Sequence, residues 1–157
     1  ALQSLKEKYD LVINVQGDEP IINPKIIDDI INKFQLENDE IVSVAKSITD
    51  IDLINDINIV KVEFNSNMLA ERFYRKPKKT DNTSAFKHYG IYAFTPIILN
   101  EICSLPPTAN ELNFKLEQIR WLDNNYKIRI IKTNYNSVSI DTKEDIEFLL
   151  QDFSNEL

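Results

Sequence analysis

"YDLVINVQGDEP", residues 9–20, decides the fold class. Tyr9 to Val15 form a short, almost uninterrupted apolar run, the pattern of a strand covered on both faces as in a parallel sheet. A glycine and two acids follow at once. Beyond them Asn23 and Pro24 supply an N-cap and a first-turn proline, and Ile26, Ile27, Ile30, Ile31 and Phe34 recur at helical spacing. A strand, a polar loop and a helix that packs back on the sheet open an α/β pattern.

Outward from there the alternation continues. "EIVSVAKSI" (40–48) reads as the next strand, and "NIVKVEF" (58–64) and "MLAERFY" (68–74) as a hairpin turning at Asn65, Ser66 and Asn67. After the polar loop "RKPKKTDNTSA" (75–85), strand character resumes in "KHYGIYAF" (87–94). "PPTANELNFKLEQIRWLDNN" (106–125) predicts a helix with Leu112, Leu116, Ile119 and Leu122 on one stripe and Phe114 and Trp121 on the opposite side, hence a helix touching two bodies. "YKIRIIKT" (126–133) is a strand and "DTKEDIEFLLQDF" (141–153) a closing amphipathic helix. The expectation is one domain over 1–157: a mixed, mostly parallel sheet flanked by helices, with an antiparallel excursion in the middle.

A chain of 157 residues is long enough to bury a real core without covalent staples. Cys103 is the only cysteine, so no intrachain disulfide can form and a reducing cytoplasm is the expected setting. No apolar run reaches the roughly 18 residues that a membrane span needs, and no signal peptide is visible in these residues. A net charge of −7 argues against a nucleic-acid partner, which calls for a basic surface. Because the chain starts at Ala1 and enters a strand pattern within a few residues, we expect a part of a longer protein.

Two glycines are few against an average of about 7%, which draws attention to Gly17 and Gly90. Glycine is required where φ is positive or where something approaches the backbone closely, though a plain turn explains Gly17 equally. Asp18 follows a strand at the carboxyl edge where open α/β sheets bind ligands, and such a carboxylate can hold magnesium or simply sit in a turn. Asp141 has a similar setting, but its spacing to Glu144 is also that of a capping box. In a strand His88, Gly90 and Tyr92 share one face, a plausible wall for a polar ligand. In the basic cluster Arg72, Arg75, Lys76, Lys78 and Lys79, Arg75 is placed to clamp a carboxylate with its planar fork; a solvated loop is the simpler alternative. Glu117 and Gln118 read as an ordinary helix flank.

Taken in order, "VINVQGDEP", "NIVKV", "HYGIYAF", "LPPTANELNFKLEQIRWL" and "SIDTKEDIE" resemble the 3-deoxy-manno-octulosonate (Kdo) cytidylyltransferases through nearly the whole chain. The resemblance implies a nucleotide-diphosphosugar transferase, Rossmann-like fold and transfer of a cytidylyl group from CTP to Kdo, giving CMP-Kdo and pyrophosphate for lipopolysaccharide synthesis. It implies that Asp18 and Asp141 hold magnesium, that Gln16 helps bind the substrates, and that Arg75, His88, Tyr92, Glu117 and Gln118 form the sugar-acid pocket. It also implies a homodimer. The family's amino-terminal third, with its "RLPGK" phosphate loop, is absent, so the chain is expected to be the carboxy-terminal two-thirds and inactive alone. Ser139-Ile140 replaces a glycine-valine, Lys143 a proline, and Phe114 stands where many members have glutamate. A related sugar acid, such as an 8-amino analogue or a sialic acid, and a non-catalytic dimerising remnant are the alternatives.

Overall fold

The computed structural model describes residues 4, 8–17, 19–37, 39–77, 83–137, 140 and 146–147. In chain order its elements are β1 (Val12–Val15), α1 (Pro24–Glu37), β2 (Ile41–Ile48), α2 (Ile51–Asn55), β3 (Lys61–Phe64), β4 (Ala70–Tyr74), β5 (Ala85–Phe94), α3 (Pro96–Ser104), α4 (Ala109–Phe114), α5 (Gln118–Asp123) and β6 (Ile128–Lys132). Among the described residues no helix is long and apolar enough to cross a membrane.

The long strand β5 is the spine. One of its edges carries β2 along almost its full length, antiparallel, and β6 continues the sheet as the parallel neighbour of β2. The other edge is shared: β3 pairs at Lys87, in the first half, and β1 pairs from Ile91 to Phe94, in the second. The β3–β4 hairpin turns where expected, with Asn65 Oδ1 accepting from the N–H groups of Asn67 (2.9 Å) and Leu69 (3.1 Å). Directions follow from these pairings. β1, β2, β3 and β6 run one way while β4 and β5 run against them, so the helix α1 does connect two strands of like direction. The sheet nonetheless has only one parallel pairing among the described strands, β2 with β6, because β5 is inserted between β1 and β2.

Each face of the sheet has its own core. On one, Ile26, Ile30 and Phe34 of α1 pack against Val42, Val44, Tyr89, Ile91 and Ala93. Asn23 starts that helix as expected, its Oδ1 accepting from Lys25 N–H at 2.9 Å. On the other face, Ile102, Leu116, Ile119 and Trp121 meet Ile41, Phe73, Tyr92 and Phe94. Trp121 stands edge-on to Tyr92 (4.9 Å, 84°) and to Phe94 (5.4 Å, 89°), an arrangement in which the electropositive ring edge meets the electronegative face.

The mostly parallel sheet expected is thus mostly antiparallel among the described strands, and two further expectations need correction. The run over residues 9–15 is a strand, but it is not covered on both faces: Asn14 and Val15 are exposed, since β1 pairs with β5 alone among the described strands. The single helix over 106–125 is two short ones. Lys115 adopts the left-handed conformation (φ 54°, ψ 47°) at the end of α4, which stops the helix and resets the direction of the chain. Wheel positions computed across that break have no meaning, and Leu112 and Phe114 are exposed while Trp121 is in the core. The pieces are held by Glu111, which closes a capping box with Thr108 and accepts from Arg120 Nε (2.8 Å) and Nη2 (2.7 Å). Arg120 Nη1 also reaches Leu105 O at 3.1 Å. The helices α2 and α3 went unread, although Thr95-Pro96 is a cap-plus-proline start, with Thr95 Oγ1 accepting from Ile98 N–H at 3.2 Å. Of the closing helix over 141–153 only Ile146 and Glu147 are described, both helical and exposed.

Replacing Trp121 with alanine removes the ring that joins α5 to β5. The expected loss is about 3–5 kcal/mol, read as a lower urea midpoint by circular dichroism. A loss under about 1 kcal/mol would mean that the helix is not seated on the sheet as described.

Candidate functional site

Where β1 and β3 take over from one another along β5, the sheet forks. Gln16 N–H donates to Gly90 O at 3.1 Å on the β1 side, and His88 N–H donates to Val60 O at 2.9 Å on the β3 side. The fork opens a cleft of about 200 Å³ lined by Gln16, Glu19, Asn58, Ile59, Val60, Arg75, Lys87, His88, Gly90, Tyr92, Lys115, Leu116, Glu117 and Gln118. That is below the roughly 300–1,000 Å³ of drug-sized sites. It suits one small polar ligand.

Gly90 is a glycine because of its neighbour. A Cβ there would lie 3.1 Å from Gln16 Cδ and closer still to Oε1, so the Gln16 amide rests on the bare backbone. Gly17 is different: its φ is not positive, and a Cβ would meet nothing within 4 Å. Any close approach that needs Gly17 would have to come from a ligand.

His88 is buried between Phe73 (ring centroids 5.0 Å apart, 81°) and Tyr92 (5.3 Å). Burial pushes its imidazole down to about 3, so it is neutral at physiological pH and holds no anion as a cation. A negative charge in the cleft would be met by the Arg75 guanidinium, not by His88. The Tyr92 phenol is raised by burial first and by the Glu117 carboxylate second, and stays a hydroxyl donor.

Arg75 stands where β4 ends. Its Nη1 donates to Ile57 O (3.2 Å) and Asn58 O (2.7 Å), which spends one corner of the guanidinium on holding the loop before β3. Lys61 braces the same loop from within: fully buried, it donates from Nζ to Asp56 O at 2.7 Å. Burial lowers the Lys61 ammonium, Asp56 partly offsets this, and Arg75 adds to it. Of the other members of the basic cluster, Arg72 ion-pairs with Glu63 (3.4 Å) and Lys76 is exposed; Lys78 and Lys79 lie outside the described residues. Glu117 and Gln118 are no mere helix flank. They follow the left-handed turn at Lys115, Gln118 buried and Glu117 exposed and 3.2 Å from Arg120.

Asp18 and Asp141 lie outside the described residues; described residues near them in sequence make defined contacts. Glu19 is buried, accepts from Gly90 N–H at 3.4 Å and takes a hydrogen bond from Ser137 Oγ. Tyr89 O–H donates to Tyr135 O at 3.0 Å, and Lys46 Nζ donates to Asn136 Oδ1. The segment after β6 is thus tied to the end of β1 and to the sheet.

Sequence reasoning missed Ser43, Glu19, Lys87 and Lys115 and the stretch 58–60. All but Lys87 and Ser43 lie in strings quoted for the resemblance, such as "NIVKV" and "VINVQGDEP", where they carried no role.

This mixed sheet, with helices on both faces and a polar cleft at the fork, is a nucleotidyltransferase-like fold. It is similar to a solved CMP:2-keto-3-deoxy-manno-octonic acid synthetase in complex with CTP, with a TM-score of 0.87, 25% identity, and coverage of 99% of this chain and 66% of that one. The family model described as cytidylyltransferase matches residues 1–130, and the chain belongs to that family. Curated relatives include the 3-deoxy-manno-octulosonate cytidylyltransferases of Parabacteroides distasonis (37% identical, over 99% of this chain and 67% of the relative) and Thermodesulfovibrio yellowstonii (40%, over 91% and 62%). The chain therefore spans roughly three-fifths to two-thirds of the length of these relatives.

Two outcomes are expected. Gly90→Ala expels the Gln16 amide from the cleft but costs little fold stability, about 1 kcal/mol or less; Gln16 side-chain amide shifts by NMR and a urea midpoint check both halves. For His88 the folded pKa lies below the unfolded value of about 6.5, so between them the unfolded chain binds more protons. His88 therefore costs stability as pH falls from about 6.5 toward 3. His88→Asn should lose less stability than the parent between pH 7 and about 4.5.

Proposed function

We propose that the chain carries the sugar-acid side of the site of a cytidylyltransferase that joins CTP to Kdo. The observation that carries this reading is convergence. Gln16 and Arg75 directly follow β1 and β4, His88 and Tyr92 belong to β5, Glu117 and Gln118 start α5, and all of them line one cleft. Curated relatives named for that activity support it.

The reaction brings together two anions. The anomeric hydroxyl of the sugar acid attacks the α-phosphorus of CTP, a new C–O–P bond forms, the bond to the β-phosphate breaks, and the hydroxyl proton is lost as pyrophosphate leaves. Catalysis then rests on positioning and on charge neutralisation. Arg75 presents the guanidinium edge not used on the loop to the sugar's carboxylate. The amides of Gln16 and Gln118 and the Tyr92 hydroxyl each donate and accept, which suits a polyhydroxylated ring. Asp18 and Asp141 would hold magnesium, an ion that takes carboxylate oxygens together with substrate phosphates; the donor chemistry fits, and Glu19 and Ser137 tie the flanking segments together. When bound, that ion offsets the charge developing on the departing phosphates.

A cytoplasmic homodimer feeding lipopolysaccharide synthesis belongs to the same reading. Exposed Leu112 and Phe114 supply apolar surface for a second copy.

The test is pyrophosphate release from CTP, Kdo and magnesium by the full-length gene product. Arg75→Met should raise the KM for Kdo by about 10- to 100-fold, the cost of a charge-assisted contact, and leave that for CTP unchanged. Asp18→Ala should abolish turnover. Release with a sialic acid but not with Kdo would move the assignment to the related sugar, and undiminished turnover in Asp18→Ala would remove Asp18 from the metal.

A further inference from the structure

Ser43 lies in the middle of β2, fully buried, and pairs with Tyr92. Its neighbour Val44 pairs with Tyr89, so Gly90 and Ile91 bulge out of the β2–β5 ladder at this point. The Ser43 hydroxyl fills the gap: Oγ donates to Ile91 O at 2.9 Å and lies 2.8 Å from His88 Nε2. A hydroxyl has one hydrogen. Since Ile91 O can only accept, that hydrogen is committed to it, and Oγ offers Nε2 a lone pair. The reverse arrangement would set two acceptors against each other at 2.9 Å. Nε2 therefore carries the imidazole hydrogen.

A neutral imidazole has one N–H, which leaves Nδ1 bare. Among the described residues no protein hydrogen bond to Nδ1 occurs and no buried side-chain nitrogen or oxygen lacks a partner, so Nδ1 is open to the cleft that His88 lines.

We propose that Ser43 is a positioning residue: it locks His88 in the Nε2–H tautomer, so that the cleft wall presents a hydrogen-bond acceptor and takes a ligand hydroxyl there, not a carboxylate. The identity of the hydroxyl donor as a sugar acid rests on the function proposed above; the tautomer does not. The device divides the cleft between Arg75, which suits the carboxylate, and His88, which selects for a hydroxyl and disfavours a ligand with a second anionic group at that end.

His88 is the only histidine among these 157 residues, so in the long-range nitrogen–proton spectrum of the histidine-labelled full-length gene product its imidazole is assigned as the signal lost in His88→Asn. The spectrum of the free protein at neutral pH should show a protonated Nε2 and a bare Nδ1. A protonated Nδ1, or an equal mixture of tautomers, would overturn the proposal. Ser43→Ala should move both nitrogens toward a mixture and weaken Kdo binding about tenfold, the scale of one hydrogen bond; Ser43→Thr, which keeps the hydroxyl, should restore both. An unchanged tautomer in Ser43→Ala would show that Ser43 does not set it. On adding Kdo, Nδ1 should shift while staying unprotonated; conversion to imidazolium would overturn the hydroxyl assignment. If the free protein shows the stated tautomer but Kdo leaves the spectrum unmoved, the sugar reading falls while the role of Ser43 stands.

Discussion

The shared edge of β5 is the constraint on which the site depends. One strand cannot offer the same N–H and C=O groups to two partners, so β1 and β3 divide its length and part at Gly90. Parting leaves a wedge of open space along an edge of β5 that is paired on either side of it, and the wedge is the cleft. A side chain at Gly90 would fill it from below; hydrogen in place of Cβ lets Gln16 lie flat across the fork. Elements far apart in the chain then close the wedge from the sides, the loop at 58–60 and Arg75 on one flank and the left-handed turn at Lys115 on the other.

Burying polar groups so near a cleft costs free energy unless each finds a partner. Here they do, and the partners serve geometry. Glu19 spends its carboxylate on Gly90 N–H and Ser137, Lys61 its ammonium on Asp56 O, Glu111 its two oxygens on Arg120. The first ties β1 to the segment after β6, the second fixes the loop that Arg75 also holds, and the third locks α4 and α5 around the turn that delivers Gln118. Each bond joins segments that local propensity leaves independent. The acidic pair Asp18-Glu19 is accordingly divided by environment: Glu19 is a buried tie, whereas the metal role assigned by resemblance falls on Asp18.

Much of the architecture was legible because it is written in short range. Alternating apolar runs located β2, β5 and β6, an Asn-Ser-Asn turn located the hairpin, and Asn23-Pro24 located the start of α1. The failures have one cause each. The 106–125 helix was drawn through Lys115, whose left-handed backbone no propensity announces in a non-glycine residue. The coverage of β1 and the insertion of β5 between β1 and β2 are matters of pairing, and an apolar run reads the same whichever neighbour it acquires.

The sequence by itself determined the chemistry: which carboxylates, amides, arginine and imidazole the chain possesses, in what order, and through that order the family to which it belongs. Only the tertiary structure decided that residues from the ends of β1 and β4, from β5 and from the start of α5 share one cleft, that His88 is neutral and held by Ser43, and that Gly90, not Gly17, is the glycine required by a close approach. The reason is physical. Residue type and local conformation are encoded within a few positions, whereas desolvation, hydrogen-bond partners and steric contact arise from atoms brought together across the whole chain.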